Sequence, residues 1–115
     1  MSNINDQFFS ELVMGDTLKT GFANPAALGS SAVIAAVPGK RIKVVGMVVI
    51  STLANNVNFL SAATSISATF PLAATGGFIL PYNNAGWAKT AVGEALNVNM
   101  TVATPTGVHV LYEEI

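Results

Sequence analysis

The chain has 115 residues, 51% of them hydrophobic and only 10% charged, with a net charge of −1. That length suits one domain built on one core, and so little charge gives no electrostatic basis for holding nucleic acid or an anionic membrane. The absence of cysteine excludes a disulfide framework and thiolate chemistry.

Globular chains usually carry about a quarter charged residues. Here Ser, Thr and Asn supply the polarity, which suits strands and turns better than helices. A surface so poor in charge is expected to be partly hidden in an assembly. The N-terminus, MSNINDQFF, lacks the basic region of a secretory leader. The densest apolar run, VVGMVVI, falls well short of the roughly 18 residues that a membrane helix needs. The expectation is a soluble chain that is not secreted.

Residues 1–29 differ in character from the rest. Asn5 or Asp6 can cap a short helix bearing Phe8, Phe9, Leu12 and Val13, with Gly15 as its stop. An extended arm is the alternative. Either way, terminal segments of this kind often order only against another surface.

From about residue 30 the period is two, the signature of strands. In KRIKVVGMVVIST, strict alternation puts Ile42, Val44, Val48 and Ile50 on one face and Val45, Met47 and Val49 on the other. A strand apolar on both sides is expected to be covered on both sides, the second cover being the N-terminal segment or a neighbouring subunit. NVNFLS follows Asn55-Asn56, and SISATFPLA places Ile66, Ala68 and Phe70 together. Gly76-Gly77 breaks the chain before FILPY. EALNVNMTVA sends Leu96, Val98, Met100 and Val102 one way and Asn97, Asn99 and Thr101 the other, and GVHVLYEEI aligns Val108, Val110 and Tyr112. Short strands punctuated by Gly, Pro and Asn describe a sandwich or barrel. VPGKRIKV and VGEALNV echo one another, each a Gly turn leading into an alternating strand, as in a double Greek key.

Chemistry finds little footing. VPGKR lacks the first Gly of a phosphate loop and the Ser or Thr after its Lys. His109 is the single histidine, too few for a zinc site, and reads as a solvent-side strand residue. Glu94 and Glu113-Glu114 sit at strand ends, with nothing in their spacing to set two carboxyls across a cleft. No G-x-S-x-G elbow is present, and the sequon Asn99-Met100-Thr101 lies mid-strand. No enzyme activity and no cofactor are expected. In the Gly- and Pro-rich stretch 70–100, Tyr82 and Trp87 are the candidate functional pair: a plug for one end of the core, or an anchor for a partner or a sugar.

The segments GKRIKVVGMVV, FPLAATGGFILP, GWAKTAVGEALNVNM and GVHVLYEEI carry a resemblance. From Gly39 to the end, about two-thirds of the chain, it resembles short tailed-bacteriophage virion proteins with a jelly-roll fold. Pro71–Ala73 leading to Gly76-Gly77, the turn Gly93–Leu96 and the closing strand Gly107–Tyr112 match that group's pattern. The resemblance implies a capsid decoration or cement protein, bound to the outer shell of a virion and made in the host cytoplasm. Its partners would be the major capsid protein and further copies of itself in a small oligomer; a homotrimer, whose three-bladed arrangement covers the apolar outer faces, is expected in preference to a dimer.

The combined expectation is an all-β jelly-roll β-sandwich of about eight antiparallel strands over residues 30–115, preceded by the arm or helix of residues 1–29. Contacts are expected at Phe8, Phe9 and Leu12 in the arm, Met47 and Val49 on a subunit face, and Trp87 in a loop. A carbohydrate- or receptor-binding module of a phage tail or fibre is the alternative function, and neither nucleic acid nor membrane is an expected partner.

Overall fold

The computed structural model describes residues 17–115. Among them ten strands form two antiparallel sheets. The first sheet holds β1 (Leu18–Ala23), β10 (Thr106–Glu114) and β3 (Ile42–Ser51) in that order, with β7 (Gly77–Leu80) and β8 (Ala88–Lys89) both paired to the far side of β3. The second holds β2 (Gly29–Ile34), β9 (Leu96–Met100) and β4 (Asn55–Ser61), with β5 (Thr64–Ser65) and β6 (Phe70–Leu72) both paired to β4. Each outer position on that side is therefore one strand broken in two. Among the described residues the chain crosses between sheets at six of nine connections; the β4–β5 hairpin and the breaks inside the two split strands stay within a sheet. This strand order is the jelly-roll β-sandwich expected from the sequence.

The core forms where inward positions of both sheets meet. From the second sheet come Val57, Phe59, Leu96, Val98 and Met100, all buried, with Leu96, Val98 and Met100 on one face as the alternation of β9 requires. The first sheet contributes Ile42, Val44, Met47, Val49, Val108 and Val110. Each fully buried aliphatic side chain contributes about 1.5–3 kcal/mol relative to exposure. Phe70 of β6 and Phe78 of β7 meet across the sheets with ring centroids 4.6 Å apart, closing one side of the sandwich. On the opposite side, Gly21 of β1 lacks the Cβ that would overlap Ile34 of β2, so the two edge strands approach closely.

The domain begins earlier than the sequence implied. Leu18–Ala23, read as part of an arm, pairs residue by residue with β10, from Leu18↔Glu113 to Ala23↔Val108. The sandwich therefore starts at Leu18 rather than at residue 30. Phe8, Phe9 and Leu12 lie outside the described residues.

The two echoing turns are structurally alike. Gly39 and Gly93 have φ of 73° and 75°, left-handed values that a side chain would disfavour, and the Gly93 amide donates to the Lys40 carbonyl at 2.8 Å. One turn feeds β3 and the other feeds β9 in the opposite sheet.

Asn55 was expected to belong to a turn, but it opens β4 and is buried. Its Oδ1 accepts hydrogen bonds from the backbone amides of Thr101 and Val102 at 3.2 and 3.1 Å, tying the start of β4 to the end of β9. Replacing it by alanine strands those amides in a partly buried place. Asn55→Ala is expected to lower unfolding stability by about 1–3 kcal/mol, read as a lower urea midpoint with an unchanged slope.

Candidate functional site

β3 is the longest strand and lies at the centre of the first sheet. Its pairing with β10 slips by one residue: Leu111 faces Gly46, but Tyr112 faces Val44. Val45 is the extra residue, a β-bulge. N-terminal to it, Ile42 and Val44 point inward; C-terminal to it, the inward set becomes Met47, Val49 and Ser51. A single inserted residue thus exchanges the two faces of the strand.

That exchange corrects one expectation. Met47 and Val49, taken as subunit contacts, are core residues, 5% and 0% exposed. Their neighbours Val48 and Ile50, which strict alternation grouped with buried Ile42 and Val44, face outward and are exposed.

The outward residues do not stand alone. The register sets Phe22 of β1 opposite His109 of β10, His109 opposite Val48 of β3, and Val48 opposite Ile79 of β7. These side chains form one row across four strands. Phe22 and Ile79, at its ends, are 68% and 70% exposed. His109 is exposed, as expected for a solvent-side residue, and stacks on Phe22 with centroids 5.9 Å apart and planes 24° apart. Beside the row, Ile50 is 56% exposed and is flanked in register by Gly107 and Gly77. A side chain at Gly77 would overlap the Val49 carbonyl. Two shallow depressions of about 220 and 260 Å³ border Ile50, one towards Phe22 and one towards Ile79.

Charge is kept away from this row. Four residues along β10 from His109, Glu113 lies opposite both Leu18 and Lys43, and Lys43 lies opposite Lys89. Lys43 pairs with Glu113 at 3.4 Å, and Lys19 with Glu114 at 3.2 Å. One end of the sheet is therefore ionic, with Lys43, Glu113 and Lys89 on its outer face, and the other end of that face is mainly apolar.

The bulge also positions the loop between β7 and β8. The amide of Asn83 donates to the Val45 carbonyl at 2.8 Å and that of Trp87 to the Val44 carbonyl at 2.7 Å. Trp87 Nε1 donates to the Pro81 carbonyl at 2.8 Å, and Tyr82 Oη lies 3.2 Å from Asn84 Oδ1. The Trp87 ring, 44% exposed, rims a pocket of about 320 Å³ that opens between the sheets. Val44, Met47, Phe59, Phe70 and Leu80 line that pocket, with Ser67 as a polar lining residue. Of the two roles expected for Trp87, closing the core or presenting a contact, its position at a pocket rim allows either.

Ser61 and Glu94 are engaged structurally. Ser61 Oγ donates to Glu94 Oε1 at 2.5 Å and accepts from the Ala91 amide at 2.9 Å. Among the described residues, no cluster of His, Asp or Glu could hold a metal ion, and no helix is long and apolar enough to cross a membrane. The outer face of the first sheet was not foreseen residue by residue. Its sequence signal was the apolar character of β3 on both sides.

No protein-family model and no curated protein matches the chain. Among solved structures it is similar to a chain of the capsid asymmetric unit of cyanophage Pam1, with 17% identity, 84% of each chain covered and a TM-score of 0.40. It is also similar to a chain of the virus-like particle of extra small virus from the giant freshwater prawn Macrobrachium rosenbergii. There the identity is 14%, the TM-score 0.40, and 84% of this chain and 77% of the other are covered. The strand order described above, rather than these superpositions, defines the fold.

Proposed function

We propose that this protein is a structural component of a virion: a capsid decoration subunit that attaches to the outer shell and associates with copies of itself. The observation that carries the reading is the mainly apolar row Phe22–His109–Val48–Ile79, with Ile50 beside it, exposed on the outer face of the first sheet. Burying such a face is favourable at about 25 cal/mol per Å² of apolar area, and a regular lattice multiplies a modest contact by avidity. The sequence resemblance to phage virion proteins supplies the class of partner, the major capsid protein. Self-association as a trimer places one such face against the next around an axis; a dimer does so across a two-fold.

The surroundings of Trp87 carry the argument against a sugar-binding module. A saccharide site pairs an aromatic platform with free polar and acidic groups. Here the Trp87 indole N–H is already bonded to Pro81, and its pocket has no carboxylate among its lining residues. Saccharide binding by the wild-type protein that disappeared in Trp87→Ala would reverse this ranking.

Aspartate at Val48 and Ile79 tests the assembly face. Both side chains point to solvent, so stability is expected to change by no more than about 0.5 kcal/mol each. Light scattering should show the mass of the full chain falling from oligomer to monomer, and binding to purified shells lacking this protein should be lost. Val49→Asp, one residue away, buries an unpaired carboxylate and is expected to lower stability by about 3 kcal/mol or more, seen as loss of the cooperative thermal transition. A wild-type chain that is monomeric and ignores shells would overturn the proposal.

A further inference from the structure

The pocket rimmed by Trp87 opens between the sheets beside β8, whose Lys89 stands in the ionic row on the outer face of the first sheet. Val44 and Ala88, two of its lining residues, are the chain neighbours of Lys43 and Lys89. Lys40 and Arg41 precede β3 at the same end. Of these bases, only Lys43 has an ion-pair partner among the described residues. The pocket, about 320 Å³ with a mainly apolar lining, has room for an aromatic ring.

The amino-acid sequence holds a segment of complementary chemistry. Residues 1–16 contain Asp6, Glu11 and Asp16, three of the six acids in the chain, and no Lys or Arg. All five bases lie in residues 17–115. Between the first two acids of that segment stand Phe8 and Phe9. The segment joins the sandwich at the matching place: Leu18 shares a register row with Glu113, Lys43 and Lys89. Three strand spacings, about 14 Å, separate Leu18 from Lys89 across that row. Phe9 stands nine residues before Leu18, and nine residues span up to about 30 Å. The exposed row at Phe22 and Val48 lies four residues further along β1 and five further along β3, which carries the bulge.

From this juxtaposition we infer that the pocket is a docking site for the N-terminal segment of the same chain. An aromatic ring of the Phe8-Phe9 pair enters beside Trp87, and Asp6 and Glu11 lie against Lys89, Lys40 and Arg41. The short tether holds the segment at an effective concentration of about the mM range, so a modest intrinsic affinity suffices. Docking fills the gap between the two split outer strands and covers the Trp87 ring. The inference is independent of the assembly face, since Val48 and Ile79 do not line this pocket.

The chain has no cysteine and one tryptophan, so a cross-link and a fluorescence signal each report on one place. In the full chain, Phe9→Cys paired with Ala68→Cys, at the pocket wall, is expected to form an intramolecular disulfide under mild oxidation. Phe9→Cys paired with Ile79→Cys, on the outer face, is expected to stay reduced. In Phe8→Ala/Phe9→Ala, Trp87 emission should shift to the red and acrylamide quenching should rise, and high salt should move the wild-type protein in the same direction. Ala68→Leu, which narrows the pocket without touching the segment, should give the same fluorescence change. Equal cross-linking of both cysteine pairs, a disulfide-linked dimer, or Trp87 quenching unchanged in both fluorescence variants would overturn the inference.

Discussion

One inserted residue, Val45, decides which side chains of the central strand are interior and which are surface. Without it, Val48 and Ile50 would continue the inward set of Ile42 and Val44, and Met47 and Val49 would face water. With it, the strand is apolar inward from Ile42 to Val49 and apolar outward only beyond the bulge. The same irregularity leaves the carbonyls of Val44 and Val45 free to accept from Trp87 and Asn83. The loop that carries the single tryptophan is thereby fixed to the sheet. Core composition, outer-face composition and loop position all depend on that local slip in pairing.

Much of the sandwich was legible because it follows simple alternation. β9 shows this best: Leu96, Val98 and Met100 are buried, and Asn97 and Asn99 are only partly covered. The final strand also keeps Val108, Val110 and Tyr112 on one side. β1 was not legible, for an equally physical reason. Its inward positions after Lys19 are Gly21 and Ala23, the first kept bare by the close approach of Ile34, while its largest side chain, Phe22, points outward. A strand whose core face is nearly bare carries no hydrophobic signal. SISATFPLA, read as one strand, became β5 and β6 because Ile66–Thr69 leaves the sheet between them.

The candidate surface was legible in kind and not in detail. A strand apolar on both sides announces that something lies on its second face. Which residues those are depends on a bulge, and bulges have weak sequence signatures, since the extra residue here is one more valine in VVGMVV. The register row linking Phe22, His109, Val48 and Ile79 joins positions far apart in the chain, so no local pattern could assemble it. Asn55 was misread for a related reason: Asn marks turns by its side chain's affinity for backbone groups, and here that affinity is spent on amides of a different strand.

The broken outer strands have a consequence for how copies of this molecule can meet. An unbroken edge strand is a template on which another chain can add its own strand, the route to fibres and open-ended aggregates. On one side of this sandwich both edges are interrupted. β7 stops at Pro81 and β8 restores only two residues of pairing, while β5 is two residues long and β6 contains Pro71. Proline brings no amide hydrogen to a ladder, so neither edge presents a continuous run of donors and acceptors. Growth by strand addition is blocked there, and for a protein with so little charge to keep copies apart, that block leaves β1 and β2, on the opposite side, as the continuous edges among the described residues.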